Sequence, residues 1–495
     1  MDSIRVFWTA AVVSAALCAG CVGTSWASEL TIAIGSEPST LDSQLREDGG
    51  ERAVSDNIYE TLMARTADGA LVPGLAAEAP SQQAPTIWRF KLRGGVKFQN
   101  DEDFNADSVV ASVQRIIDPA FKSEQASYFS TIVKAEKVDN LTVDIVTSGP
   151  DPLLPSRMYW MKMVPAKYSS DPAFAAAPSG TGPYKLEAWN RGQNIILKKN
   201  PNYWGDKPAI DQVTYSFIAE PGTRLSSLVA GEVDLITNLL PEFVTAVPAY
   251  AAVPGLETSV IVLGADNPVT GDARVRMALN LAIDRKALSE NLFGGFAKPA
   301  QGQLVNPKAF GFNSALSPYP YDPDRARALI KEAGAEGKTV TLVGEAGRWL
   351  KDRETIEAVA AYWQAIGINV DTKFFEFGEY LTQLFDKEHR PGAVFVQNSD
   401  ELLDADRPMT SAYESGASYA SNSDADMAAK VKAARMTTDV KERAAIYAEI
   451  TKHAYDEAYL VPLLNLEDVY GFSKRLEWKP RPDAKLLVKE MSLVE

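Results

Sequence analysis

The sequence predicts an α/β fold of more than one domain, and three observations predict it. The chain has 495 residues, whereas a single hydrophobic core stops growing at roughly 250 to 300 residues. Its hydrophobic fraction is 46% and its charged fraction 23%, close to the average of globular domains and unlike a disordered chain or a membrane bundle. Strand and helix patterns alternate along it, most clearly in TVTLVGE (339 to 345), ETIEAVAAYWQAIG (354 to 367) and INVDTKFFEF (368 to 377). Such alternation calls for parallel pairing with helices packed on the sheet.

From the front, ELTIAIG (29 to 35) reads as a strand of β-branched residues closed by Gly35. DNIYETLMA sets Ile58, Leu62 and Met63 at helical spacing, and TIWRFKLRGGVKF reads as strand, Gly-Gly turn, strand. NADSVVASVQRIID (105 to 118) opens on the cap Asn105 and lines Val109, Val113, Ile116 and Ile117 on one face, which makes an amphipathic helix. TGPYKLEAW and NIILKKN read as a hairpin, VTYSFIAE (213 to 220) as a strand, and GTRLSSLVAGEVDLIT as helix, Gly231, strand. ARVRMALNLAIDRKALSENLF (273 to 293) reads as one amphipathic helix. DPDRARALIKEAG (322 to 334) is another, opened by Asp322-Pro323 and closed by Gly334.

Residues 1 to 27 form a different segment. Arg5 precedes the apolar run VFWTAAVVSAALCAGCVG, and Ser25 and Ala27 flank Trp26 as small residues flank a cleavage site. The natural reading is a signal peptide removed after Ala27, with a retained anchor and a lipid-modified Cys21 as the alternatives. Both cysteines, Cys18 and Cys21, fall inside it, so their spacing is not a redox motif and the exported chain relies on its cores alone. The formal net charge of -15 repels phosphate backbones, which argues against a nucleic-acid partner.

Chemistry-bearing motifs are scarce. The two histidines, His389 and His453, have no second ligand at metal spacing, and no nucleophile elbow, phosphate-binding loop or dinucleotide fingerprint is present. No metal, no cofactor and no catalysis are therefore expected. The one conspicuous cluster is QNSDELLDADRP (397 to 408), where Asp400, Glu401, Asp404 and Asp406 follow the apolar strand AVFV. Four acids at a strand end read as a metal cage, a catalytic pair, an anchor for a cation or a solvated loop.

Ten stretches, in order, resemble one family. They are LTIAIGSEPSTLD, NIYETL, VPGLAAE, WRFKLRGGVKF, FNADSVVASVQRI, GTGPYKL, KKNPNYWG, LVAGEVDLI, DARVRMALNLAIDRKAL and YDPDRARALIKEAG. The family is the solute-binding proteins of bacterial ABC importers of the oligopeptide, dipeptide and nickel type, the family 5 extracellular solute-binding proteins. The resemblance implies a two-lobed periplasmic-binding-protein fold, type II-like, with an extra small α/β domain. It implies lobe I from 28–45, 178–262 and 465–495, an inserted domain at 46–177, and lobe II at 263–464. It further implies a periplasmic monomer that captures peptides or similar small solutes by hinge closure and hands them to ABC permease subunits in the inner membrane. The same scaffold loaded with an oligosaccharide, an opine-like conjugate or a metal chelate is the alternative, and an exported hydrolase a more distant one.

The site residues come from the resemblance too. Glu401 falls on the acid that receives a peptide's amino terminus, and Asp404, Ala405 and Asp406 fall on an Asp-Pro-Asp; Asp400 is the register neighbour of Glu401. The family's Gly-Trp pair is replaced by Gln397 and Asn398, which puts peptide specificity in question. Arg348 lies near the arginine that dipeptide binders use for the ligand carboxylate, and Phe377 where an aromatic lines the cleft. A solvated arginine and a core phenylalanine are the competing readings. Trp88, Trp189, Tyr203 and Trp204 are read as packing, and Arg274 and Arg276 as ion-paired structure.

Overall fold

A computed structural model describes residues 28–46, 49–345, 349–386, 391–414 and 424–494. The expected leader with Cys18 and Cys21, together with Arg348 and His389, lies outside the described residues, as do the side chains at 49 and 377.

One long mixed sheet runs through the molecule. In spatial order its main path is 369–375, 339–345, 393–399, 249–263, 460–472, 235–236, 29–34, 212–217, 194–199 and 184–190. Glu29–Ile34 pairs in parallel with Gln212–Phe217, and Thr339–Glu345 in parallel with Asn369–Phe375. The latter pair is connected by the helix Asp352–Gln364, the crossover that parallel strands require. The strands Ala249–Leu263 and Leu460–Phe472, of 15 and 13 residues, pair antiparallel at the centre and connect the two halves. They are the two segments that cross between the halves, in the place where the resemblance puts a hinge.

Each half has its own core. Leu30, Ile32, Tyr184, Leu197 and Tyr215 are buried together on one side, and Ile261, Leu279, Leu342, Trp363 and Phe395 on the other. A third core, with Phe90, Val109, Val113, Ile145 and Met158, fills the space between the helix Ala106–Ile117 and a separate four-stranded sheet. The chain thus has the two-lobed α/β fold with an extra small α/β domain.

Three elements differ from the sequence reading. The first helix is Gly49–Ile58 and stops before Leu62, because the backbone at Ile58 turns to meet the GTG segment: its carbonyl accepts the Gly182 N–H at 2.8 Å. A side chain at Gly180 would collide with that carbonyl, and a Cβ at Gly182 would lie 2.6 Å from it, so both glycines serve a close approach of two backbones. The helix expected over 273 to 293 is two, Ala273–Leu281 and Arg285–Phe293. Asp284 breaks it by turning its carboxylate to cap the second, accepting the Ala287 N–H at 2.9 Å. After Ile87–Lys91 and the turn at Gly94-Gly95, only a single bridge at Lys97 replaces the expected second strand.

Candidate functional site

The acidic segment joins lobe II to the extra domain. The strand Ala393–Ser399 ends against Ala249–Leu263, with Ser399 opposite Glu257 and the Asp400 N–H on the Leu256 carbonyl at 3.2 Å. Leu403 then adopts a left-handed φ of 53°, and the helix Asp406–Tyr413 follows. The tip of the turn is plugged into the extra domain. Leu402 is buried in that domain's core, and its carbonyl accepts from Arg65 Nη2 at 2.8 Å.

Arginines hold most of the carboxylates. Both Asp404 oxygens accept from Arg443, at 2.6 and 2.7 Å, and the Asp404 side chain also accepts the Asp406 N–H at 2.9 Å. Asp406 accepts from Arg435 Nε and from Arg157 Nη2, each at 3.0 Å, the second of these across the domain boundary. Burial alone would raise the Asp406 carboxyl, yet Arg157 and Arg435 outweigh it and hold the group below the usual carboxylate range. Glu401, 8% exposed, accepts from Arg407 Nη1 at 2.6 Å and acts electrostatically on the Tyr128 hydroxyl. The Arg407 guanidinium also lies 4.3 Å from the Tyr128 ring centroid.

Asp400 is different. It is fully buried, its Oδ1 accepts the Asp404 N–H at 3.2 Å, and its Oδ2 has no hydrogen-bond partner. Burial pushes its carboxyl well above the usual range, Asp404 and Glu401 add to that, and the Asp404 N–H and Arg407 oppose it.

Above this segment is a cavity of about 330 Å³ between the extra domain and lobe II. Tyr128, Ser130 and Arg157 form one wall; Gln397, Asn398, Ser399, Arg407 and Arg435 belong to the other. Gln397 Oε1 is enclosed without a partner. On the hinge side, Trp160 stacks on Tyr128 at 5.9 Å and its indole N–H is enclosed without an acceptor. Arg52 lies 5.6 Å from the Trp160 ring and acts electrostatically on Asp468, whose Oδ2 is likewise enclosed and unpartnered. Native interiors pair nearly all buried polar atoms, and these unpaired ones stand near the seam between the lobes.

Of the residues singled out in the sequence, the fold brings Glu401, Asp404 and Asp400 together. Arg348 and the Phe377 side chain lie outside the described residues; the Phe377 backbone starts the helix Phe377–Phe385. Trp88, Trp189, Tyr203 and Trp204 make structural hydrogen bonds. Glu60 alone collects the Tyr203 hydroxyl at 2.8 Å, the Trp204 indole N–H at 2.7 Å and the Thr181 hydroxyl at 2.9 Å. Arg274 pairs with Asp272 at 2.6 Å, and Arg276 caps backbone carbonyls and lies 3.4 Å from Glu457. Sequence reasoning missed Tyr128, Trp160, Arg52 and Asp468, which carry no motif. Among the described residues no group of three or more His, Cys, Asp or Glu is placed to hold a metal ion, and no helix is long and apolar enough to cross a membrane.

Two lobes joined by two crossing strands, with a cavity of mixed polar and apolar lining between the extra domain and lobe II, form the frame of a solute-binding protein. The chain belongs to the bacterial extracellular solute-binding proteins, family 5, whose profile matches residues 70–420, and it is accordingly the substrate-binding component of an ABC importer. It is similar to the glutathione-binding protein GsiB of Escherichia coli K12, 27% identical over 489 residues that cover 94% of each chain. The solved structure of the ABC transporter-associated periplasmic binding protein DppA from Helicobacter pylori, in complex with the peptide STSA, superimposes with a TM-score of 0.80 at 25% identity, covering 94% of this chain and 98% of that one. The binding protein AgaA from A. tumefaciens R10, in complex with agropinic acid, gives 0.81 at 25%, covering 94% and 99%.

Proposed function

We propose that this chain is a periplasmic, monomeric and non-catalytic receptor for a peptide or a small peptide-like zwitterion such as glutathione, enclosed between the lobes and released to the permease. The observation that carries the reading is the set of enclosed, unpartnered polar atoms along the seam, on Trp160, Gln397, Asp400 and Asp468. A buried donor or acceptor without a partner costs about 1 to 3 kcal/mol, and a polar solute in the cleft would remove several such costs at once. The relatives that bind glutathione and a tetrapeptide support the ligand class.

In this reading Glu401 receives the amino terminus of an α-linked peptide, exchanging part of its contact with Arg407. Asp404 acts through Arg443, which fixes the segment that holds Glu401 against the cavity-lining Arg407. Arg348 and Phe377 are proposed to supply a carboxylate contact and an aromatic wall. The domain limits belong to the same proposal: 28–45, 178–262 and 465–495 for lobe I, 46–177 for the inserted domain, 263–464 for lobe II, and a leader ending at Ala27. The separate core over Phe90 to Met163 supports the insertion.

A solute that binds only the folded protein raises its stability. A thermal-shift screen of peptides, glutathione, opines and metal chelates tests the proposal, which expects shifts from the first two classes and no turnover of either. The polar pair Gln397 and Asn398, and the agropinic acid complex of AgaA, favour a second reading in which the solute is an opine-like conjugate. Shifts confined to opines would establish it.

A further inference from the structure

The hinge carries an arrangement that the acidic segment does not explain. The ladder between the two hinge strands is interrupted between Pro254, opposite Glu467, and Thr258, opposite Asn465. Beside this interruption the Asp468 carboxylate lies flat on Gly255, where an added Cβ would sit 3.0 Å from Oδ2. That oxygen is enclosed and accepts no hydrogen bond, although Arg52 and Lys308 both act on it electrostatically. Lys308 is engaged elsewhere, donating to the Pro254 carbonyl at 3.2 Å.

On the other side of Arg52 stands the opposite defect. Trp160 is 3% exposed and its indole N–H finds no acceptor. Around the Arg52 guanidinium there are thus one enclosed acceptor without a donor and one enclosed donor without an acceptor. Trp160 stacks on Tyr128, a residue of the cavity wall that also meets Glu401 and Arg407, so this place lies behind that wall.

A single group satisfies both defects if it carries a cationic N–H donor and an anionic acceptor a bond or two apart. Resting on the functional reading above, we propose that Arg52, Trp160 and Asp468 form a subsite for an α-amino acid head group, with the ammonium on Asp468 and the carboxylate on Arg52 and the Trp160 N–H. The zwitterion adds no net charge beside Arg52, Lys308 and Asp468. An ordinary α-linked peptide cannot offer such a head, because its ammonium and carboxylate are at opposite ends. A peptide joined through a side-chain carboxyl can.

The test compares two isomers of one composition by isothermal titration calorimetry: γ-glutamyl-cysteinyl-glycine, with a free α-amino acid head, and α-glutamyl-cysteinyl-glycine, without one. The expected result is a preference for the γ isomer of roughly tenfold or more, the size of one charged hydrogen bond. Asp468→Asn and Arg52→Gln should reduce that preference to within about twofold. Trp160→Phe, which keeps the ring and removes only the donor, should weaken the γ isomer several-fold while leaving the α isomer unchanged, a result that a merely structural Trp160 would not give. Equal binding of the two isomers by the wild type, or a preference that survives Asp468→Asn, overturns the subsite and leaves the functional reading standing. Binding of neither isomer overturns the peptide-type reading, and the subsite with it.

Discussion

Asp404 and Arg443 are joined by two parallel hydrogen bonds, 2.6 and 2.7 Å long, in a pair that is almost completely enclosed: the two side chains are 5% and 7% exposed. The fork of the guanidinium matches the carboxylate, and Arg443 also donates to the Tyr447 hydroxyl at 2.8 Å and, through Nε, to the Ala434 carbonyl at 3.1 Å. Removing either partner strands a buried charge. Asp404→Asn or Arg443→Met should each cost about 3 to 5 kcal/mol in urea unfolding, and the double replacement less than the sum of the two, because it strands neither.

Asp406 holds two domains together through Arg157 and Arg435. Arg157 is itself anchored by Asp151 at 2.8 Å. Arg157→Met should therefore destabilise the contact between the extra domain and lobe II, and hydrogen exchange should show faster exchange in both the 126–130 turn and the 406–413 helix. Protection unchanged in either segment would show that the contact is energetically idle.

The Asp468 carboxyl is raised to about 6 by burial, against which Arg52 and Lys308 pull it down. The sign follows from proton binding: between the unfolded value of 3.8 and the folded value the native state holds more protons, so stability falls as pH rises through that window. Above pH 6 the ionised group costs on the order of 1 to 3 kcal/mol. Asp468→Asn should raise the Tm of the ligand-free protein at pH 7.5 and leave it nearly unchanged at pH 4. An Asn variant less stable than the wild type at pH 7.5 would show that the carboxylate is paired.

Gly182 sits where a Cβ would come within 2.6 Å of the Ile58 carbonyl oxygen, against backbone that cannot give way. Gly182→Ala should destabilise by more than about 2 kcal/mol, from overpacking. At Gly222, where an added Cβ meets nothing within 4 Å, alanine should be neutral or stabilising by up to about 1 kcal/mol. Equal Tm values for the two variants would count against the close approach.

What was legible in the sequence was local. Thr339–Glu345, Asp352–Gln364 and Asn369–Phe375 announce themselves by period, and Asn105 and Asp322 mark helix starts by accepting first-turn N–H groups. The break at Asp284 was legible only in hindsight of its cap, because an aspartate inside an apolar period looks like one more polar residue. The acids at 400 to 406 stood out because they are neighbours in the chain. Their partners did not: Arg443 is 39 positions from Asp404 and Arg157 is 249 from Asp406, and no period or motif connects them. Arg52, Trp160 and Asp468 are further still from any pattern, since each belongs to a different element and their meeting is a product of the hinge.

The central claim is that a small α-linked peptide binds between the lobes with its ammonium on Glu401. Isothermal titration of refolded protein with a set of α-linked di- and tripeptides, repeated with Glu401→Gln, tests it most directly. One-to-one binding by the wild type, weakened by about 2 to 5 kcal/mol in Glu401→Gln, is the result predicted. No binding of any of these solutes, or the same affinity in both proteins, would contradict it.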